Sequence, residues 1–136
     1  MEYIRKIFGY ECDIYGHLNN ANYLHLYEEA RSEALECMNM DLIQLGKMGI
    51  HIYLSNITLS FLNGIKSGET VKIDTKMIKA TRATSVWKQD IYNSSGKLCN
   101  TAIVKGAFIK NGEPFRISNE IFNKYKDFLQ PEDLTE

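Results

Sequence analysis

The sequence predicts an α+β domain in which one long helix is wrapped by an antiparallel sheet, and three observations carry that reading. Apolar or small side chains fall at Tyr23, Tyr27, Ala30, Ala34 and Cys37 or Met38, the stripe of one helix face. From His51 to Lys110 the chain runs in strand-length stretches rich in β-branched and aromatic residues. The breaks between those stretches, "NGIKSGE", "TRAT" and "NSSGK", carry turn chemistry and are short enough to force antiparallel neighbours.

Taken in order, "EYIRKIFGY" reads as a short strand closed by Gly9, followed by a polar turn. The helix then spans Ala21 to about Met38, with Asn19 or Asn20 as its N-cap. Leu24, Leu26 and Leu35 lie off the stripe, so burial on more than one side is expected. Glu28, Glu29, Arg31, Glu33 and Glu36 form the charged face. "MDLIQLGKMG" reads as a short helical turn capped by Asp41 and ended by glycine. Four strands follow: "HIYLSNITLSFL", "TVKIDTKMIKAT", "TSVWKQDIYN" and "KLCNTAIVKGAFIK". Ile121, Phe122, Tyr125, Phe128 and Leu129 then take helical spacing behind a Ser118 cap. The expectation is a single domain over residues 1–136 with a loose tail from about 130. One sheet layer leaves an edge open, so pairing into a homodimer, or a homotetramer of dimers, is expected.

Composition narrows the function classes. Hydrophobic residues at 44% and charged residues at 24% suit a soluble globular chain. A net charge of −1 gives no general attraction for nucleic acid or an acidic membrane. No stretch approaches the apolar length of a signal peptide or a membrane span. Cys12, Cys37 and Cys99 cannot all pair internally and show no CxxC spacing, which suits free thiols in the cytoplasm. His25 and Glu28 have helical ligand spacing, but no second such pair exists and no metal site is expected.

The chemistry gathers in "CDIYGHLNNANYLHLYEEAR". Asp13 lies seven residues before Asn20, with Gly16 between them to permit a tight turn. A helix N-terminus offers unpaired amides and about half a positive charge, a site for an oxygen that becomes negative during reaction. A carboxylate beside it has the makings of acyl hydrolysis. The plain alternatives are a turn aspartate, a turn-bonding His17, capping asparagines and a solvated Glu28–Glu29 face. A Cys12–His17 nucleophile would lack a third orienting group.

The run Asp13, His17, Asn19, Asn20, Tyr23 followed by "LHLYEEAR" resembles the hotdog-fold acyl-CoA thioesterases of the 4-hydroxybenzoyl-CoA thioesterase family. In look it is nearest to bacterial long-chain acyl-CoA thioesterases, and it is similar also to plant acyl-carrier-protein thioesterases. The resemblance covers nearly the whole chain. It implies a long central helix wrapped by a five-stranded antiparallel sheet, with a C-terminal helix added. It implies hydrolysis of an acyl-CoA, or an acyl-carrier-protein thioester, without a cofactor. It matches Asp13 to the catalytic carboxylate, Asn20 to the oxyanion amide and His17 to the motif histidine. A second branch of the superfamily would place the carboxylate at Glu28. Tyr15, Gly16, Tyr23, Lys66, Arg82 and Ser85 are the substrate-binding candidates, with Lys79 and Lys105 as further phosphate contacts. Many relatives have Arg-Pro where this chain has Asn63-Gly64. A hotdog module that binds acyl thioesters without turnover is the alternative function. The hydratase branch of the fold would want its histidine in a different motif.

Overall fold

The helix foreseen in the apolar stripe is α1, Asn22–Cys37, in a computed structural model that describes residues 1–130. Tyr23, Leu26, Tyr27, Ala30, Ala34 and Leu35 are buried, while Leu24, Glu28, Glu36 and Cys37 are exposed. This is one broad face, so the expected burial on several sides is corrected. Arg31, grouped by sequence with the charged face, is half-buried and turned toward the sheet. Tyr27 and Leu26 are 1% and 0% exposed, and each such side chain contributes roughly 1.5–3 kcal/mol of transfer free energy.

The strands are β1 (Glu2–Lys6), β2 (Ile50–Phe61), β3 (Thr70–Ala80), β4 (Thr84–Tyr92) and β5 (Leu98–Lys110). A two-residue β6 (Glu113–Pro114) adds to β5. All pair antiparallel in the order β1-β3-β4-β5-β2. The short helix α2 (Leu42–Lys47) is capped by Asp41, whose carboxylate accepts the Gln44 N–H at 2.8 Å. The helix α3 (Asn119–Lys126) begins at Ser118, whose hydroxyl accepts the Ile121 N–H at 3.2 Å. The tail expected to be loose lies, past residue 130, outside the described residues.

One connection differs from expectation. β2 does not pair with β3; "NGIKSGE" carries the chain across the sheet instead of closing a hairpin. The physical reason is that residues 62–69 are committed elsewhere. The Leu18 N–H donates to the Ile65 carbonyl at 2.7 Å, and the Ser67 N–H to the Gly16 carbonyl at 3.1 Å. The connection therefore walls the polar loop, and β2 pairs with β5 and becomes a sheet edge. Near Ser55 the register shifts by one residue. Ile52 and Leu54 lie opposite Phe108 and Gly106, whereas Ile57 and Leu59 lie opposite Val104 and Ala102. The bulge keeps the apolar side chains facing α1 while the alternation changes parity.

Under α1 the sheet carries a polar strip. The Tyr27 hydroxyl donates to Asn100 Oδ1 at 2.7 Å. Gln89, fully buried, donates through Nε2 to the Tyr27 carbonyl and to Thr75 Oγ1, both at 3.0 Å. These bonds fix the helix in register over the strands, since a buried polar group left unpaired is costly.

Candidate active site

Residues 12–18 fold as a tight hairpin. Cys12 and Leu18 bridge, the Asp13 N–H donates to the His17 carbonyl at 2.8 Å, and the Gly16 N–H to the Asp13 carbonyl at 3.0 Å. Gly16 sits at φ +79°, the left-handed conformation that the turn requires. Asp13 Oδ1 accepts the Tyr15 and His17 amides at 2.9 and 3.3 Å. Its second oxygen has no partner among the described residues, and the side chain is exposed. The His17 ring lies against Gly64, where an added Cβ would stand 3.5 Å from the ring, and the His17 backbone bridges Lys66. The fold thus gathers Asp13, Gly16, His17 and Lys66, with Tyr15 exposed on the same turn.

The entry to α1 corrects the expected cap. Ala21 occupies the N-cap position and offers no side-chain acceptor. Asn19 acts one step earlier: its Oδ1 accepts the Ala21 N–H at 2.9 Å and its carbonyl the Asn22 N–H at 2.9 Å. Asn20 is exposed, and its amide has no hydrogen-bond partner among the described residues. An uncommitted N–H at a helix mouth suits an incoming oxygen.

A clamp that sequence reasoning missed holds this geometry. The Glu11 carbonyl accepts Asn22 Nδ2 at 2.8 Å and the Asn19 N–H at 3.0 Å. The Glu11 carboxylate, 5% exposed, accepts Arg5 Nη1 at 2.7 Å and the Phe8 N–H at 3.0 Å. Arg5 Nε reaches Glu29 at 2.9 Å, and the Tyr3 hydroxyl donates to the same carboxylate at 2.8 Å. Burial alone would raise the Glu11 carboxyl; the bonds from Arg5 and Phe8 and the Arg5 charge outweigh it and lower it. Arg5 and Glu11 flank a turn with no periodicity, so their pairing left no sequence signal.

The remaining candidates are placed elsewhere. Tyr23 is 3% exposed, packed edge-on against Phe61 at 5.3 Å, and burial pushes its phenol up to about 12. It is a core residue, which corrects its assignment to substrate. Arg82 is half-buried, and its Nε donates to the Ile117 carbonyl at 2.7 Å. Ser85 is buried and accepts the Trp87 indole N–H at 3.0 Å. Both belong to the far end of the sheet. Lys6, which leads into the Asp13 loop, pairs with Thr70, whereas Ser85 pairs with Ala80. Ten residues of strand separate those rungs, about 33 Å at 3.3 Å each. One protomer therefore does not bring Ser85 to Asp13.

Glu28 lines a different feature, a cleft of about 90 Å³ between α1 and strands β2, β4 and β5, walled also by Arg31, Leu54, Trp87 and Gly106. Burial pushes the Cys12 thiol up, so it is a poor source of thiolate nucleophile. Among the described residues no three His, Cys, Asp or Glu side chains form a metal-binding group. None of the described helices is long and apolar enough to cross a membrane.

One helix wrapped by a curled antiparallel sheet, with a carboxylate loop feeding the helix mouth, is the hotdog fold of thioester hydrolases. The chain belongs to the thioesterase-like superfamily, which its sequence matches over residues 9–125. It is 26% identical over 134 residues to the acyl-acyl carrier protein thioesterase ATL3, chloroplastic, of Arabidopsis thaliana, spanning 94% of this chain and 68% of that protein. Over 57 residues it is 40% identical to the long-chain acyl-CoA thioesterase FadM of Escherichia coli, spanning 41% of this chain and 42% of that one. In fold it resembles the DHNA-CoA thioesterase from Staphylococcus aureus, with a TM-score of 0.87 at 24% identity over 93% of this chain and 88% of that one.

Proposed function

We propose that the chain is an acyl-CoA thioesterase that acts as a two-fold dimer paired through β2. The observation that carries the reading is Asp13, an exposed carboxylate with one oxygen uncommitted, on the loop that ends at the unpartnered Asn20 amide. Asp13 takes a proton from water as the water oxygen attacks the thioester carbonyl. The oxygen that becomes negative is met by the Asn20 N–H and the positive end of α1. Collapse breaks the C–S bond, and coenzyme A leaves as a thiolate that recovers the proton. A thiol of ordinary pKa near 8.5 is a good leaving group, so no cofactor is needed. His17 orients Asp13 through its amide, and Lys66 lies where a phosphate of the carrier would pass.

The dimer resolves the separation within one chain. β2 is a 12-residue edge that exposes Tyr53, Leu54 and Phe61. A long apolar edge of that kind seeks a partner strand. Antiparallel pairing about a two-fold axis sets the Phe61 end of one protomer beside the Ile50 end of the other. The Asp13 loop of one then faces the Glu28 and Ser85 end of its partner, and the site is composite. Three cysteines with no disulfide among them support a reducing compartment such as the cytoplasm.

Thiol release from a panel of acyl-CoAs and acyl-carrier-protein thioesters tests the reading. Asp13→Asn keeps the acceptor that closes the turn, so folding is retained while kcat falls by about 100-fold or more. Equal rates for wild type and variant at every chain length would remove Asp13 from the mechanism. Glu28→Gln in the same assay separates the two carboxylates. Binding by calorimetry with no thiol released would make the chain a binding module.

A further inference from the structure

We infer that the cleft beside Arg31 is a recognition pocket for a carboxylate at the far end of a compact acyl group. The inference rests on the thioesterase reading above, and it names the substrate class.

The case begins with how Arg31 is held. Its Nη1 donates to Gln89 Oε1 at 2.9 Å, and no carboxylate among the described residues stands within ion-pairing distance of it. Gln89 is fully buried and its amide nitrogen is committed to Tyr27 and Thr75, so Oε1 is locked in direction. An amide at this point aims the guanidinium without cancelling its charge. A glutamate, nearly the same size, would have neutralised it. Guanidinium carries five N–H donors, so most of the fork remains for a ligand. Burial depresses the Arg31 pKa, and the charge of Glu28 only partly offsets that, the signature of a cation short of counter-charge.

The surroundings say what kind of ligand fits. Apart from Glu28, Arg31 and Ser32, the cleft wall is formed by Leu35, Ile52 and Trp87 and their apolar neighbours. A saturated acyl chain in that slot would exclude water from the guanidinium and offer it nothing. A carboxylate on a short methylene stem would satisfy the walls and the cation together. The cleft is small, about 90 Å³, which suits a short dicarboxylic acyl group. In the two-fold arrangement the cleft lies beside the Asp13 loop of the partner subunit, within reach of an acyl tail from the thioester.

The test compares two acyl-CoAs of equal length that differ only at the tip, adipoyl-CoA and hexanoyl-CoA, by kcat/KM for thiol release. Wild type is expected to favour adipoyl-CoA by tenfold or more. Arg31→Met should bring the ratio to one or below. Gln89→Glu, which adds a counter-charge beside Arg31 but loses the two Nε2 bonds, should also reduce it at least fivefold in protein whose Tm shows that it is folded. Hexanoyl-CoA hydrolysed as well as adipoyl-CoA by wild type would overturn the inference and leave the thioesterase reading standing. That result is also expected if an acid of the partner subunit pairs with Arg31. No hydrolysis of either compound, with release from other members of the panel, would overturn the inference and leave the thioesterase reading standing. No release from any member would overturn the thioesterase reading; the inference is then judged by calorimetry, where equal adipoyl-CoA affinity of wild type and Arg31→Met would overturn it too.

Discussion

The mouth and the middle of α1 place polar groups under opposite conditions. At its N-terminus, Asp13, His17 and Asn20 stand in water, and backbone bonds within the loop set their geometry. Ten residues deeper than the Ala21 position, and one turn beyond Tyr27, Arg31 is fixed by long-range contacts: its partner Gln89 is 58 residues away in sequence. The first region is open to solvent. The second holds one charge in a fixed direction against apolar walls. The comparison teaches that the groups proposed to react and those proposed to select are placed by different rules, local turn chemistry for one and tertiary packing for the other.

The strongest way to break the comparison is to keep the two regions from meeting. Leu54→Asp puts a charge on the exposed β2 edge, where Leu54 also walls the cleft. A charge on an edge strand opposes pairing. The expected outcome is a monomer by light scattering with an unchanged far-ultraviolet spectrum, and thiol release lower by more than about 100-fold, on the scale of losing a catalytic group. A monomer with undiminished activity would show that one protomer suffices and that the roughly 33 Å between the Lys6 and Ser85 rungs of the sheet has another solution.

Next in size is the clamp beneath the loop. Glu11→Gln leaves a neutral acceptor facing Arg5, and the loss should be about 2 kcal/mol at pH 7, less than for deleting a buried partner outright. The pH dependence has a definite sign. The folded Glu11 pKa lies below its ordinary value, so its contribution is present above the unfolded-state pKa and is lost as pH falls through the folded one. Urea unfolding should therefore show a wild-type advantage at pH 7 that shrinks as pH falls below the ordinary glutamate range. An advantage independent of pH would mean that packing, not charge, is what Glu11 supplies.

The difference between the regions also explains what could be read in advance. That Asp13, His17 and Asn20 gather at the mouth of α1 was legible because their placement depends on spacing within one short run, and so were the Asp41 and Ser118 caps. The extent of α1 and four of the strands followed from periodicity. The path from β2 to β3 was not legible, because the bonds of Leu18 and Ser67 to that segment join loops far apart in sequence. Arg31 was misplaced for a related reason. On the helical wheel it borders the stripe, and only the presence of Gln89 opposite turns it inward. The cap expected at Asn19 or Asn20 falls at Ala21 because an asparagine two residues earlier closes a turn before a helix almost as readily as it caps one.

The smallest effect sharpens the comparison most, since each region contains a glycine retained for a different reason. Gly16 has φ +79° and nothing near the position of an added Cβ, so Gly16→Ala meets strain and no clash. It should cost about 1 kcal/mol, seen as a fall of a few degrees in Tm, because an alanine in the left-handed region pays that much. Gly106 has no such conformation. An added Cβ there would stand 3.4 Å from Ile52 Cγ2 and 3.6 Å from the Tyr53 carbonyl, on the wall of the cleft. Gly106→Ala should narrow the pocket and change which acyl groups are accepted, with little change in Tm. If the two variants exchange phenotypes, with Gly16→Ala altering acyl preference and Gly106→Ala the stability, then the division between a turn that presents the carboxylate and a pocket that selects the acyl group is drawn in the wrong place.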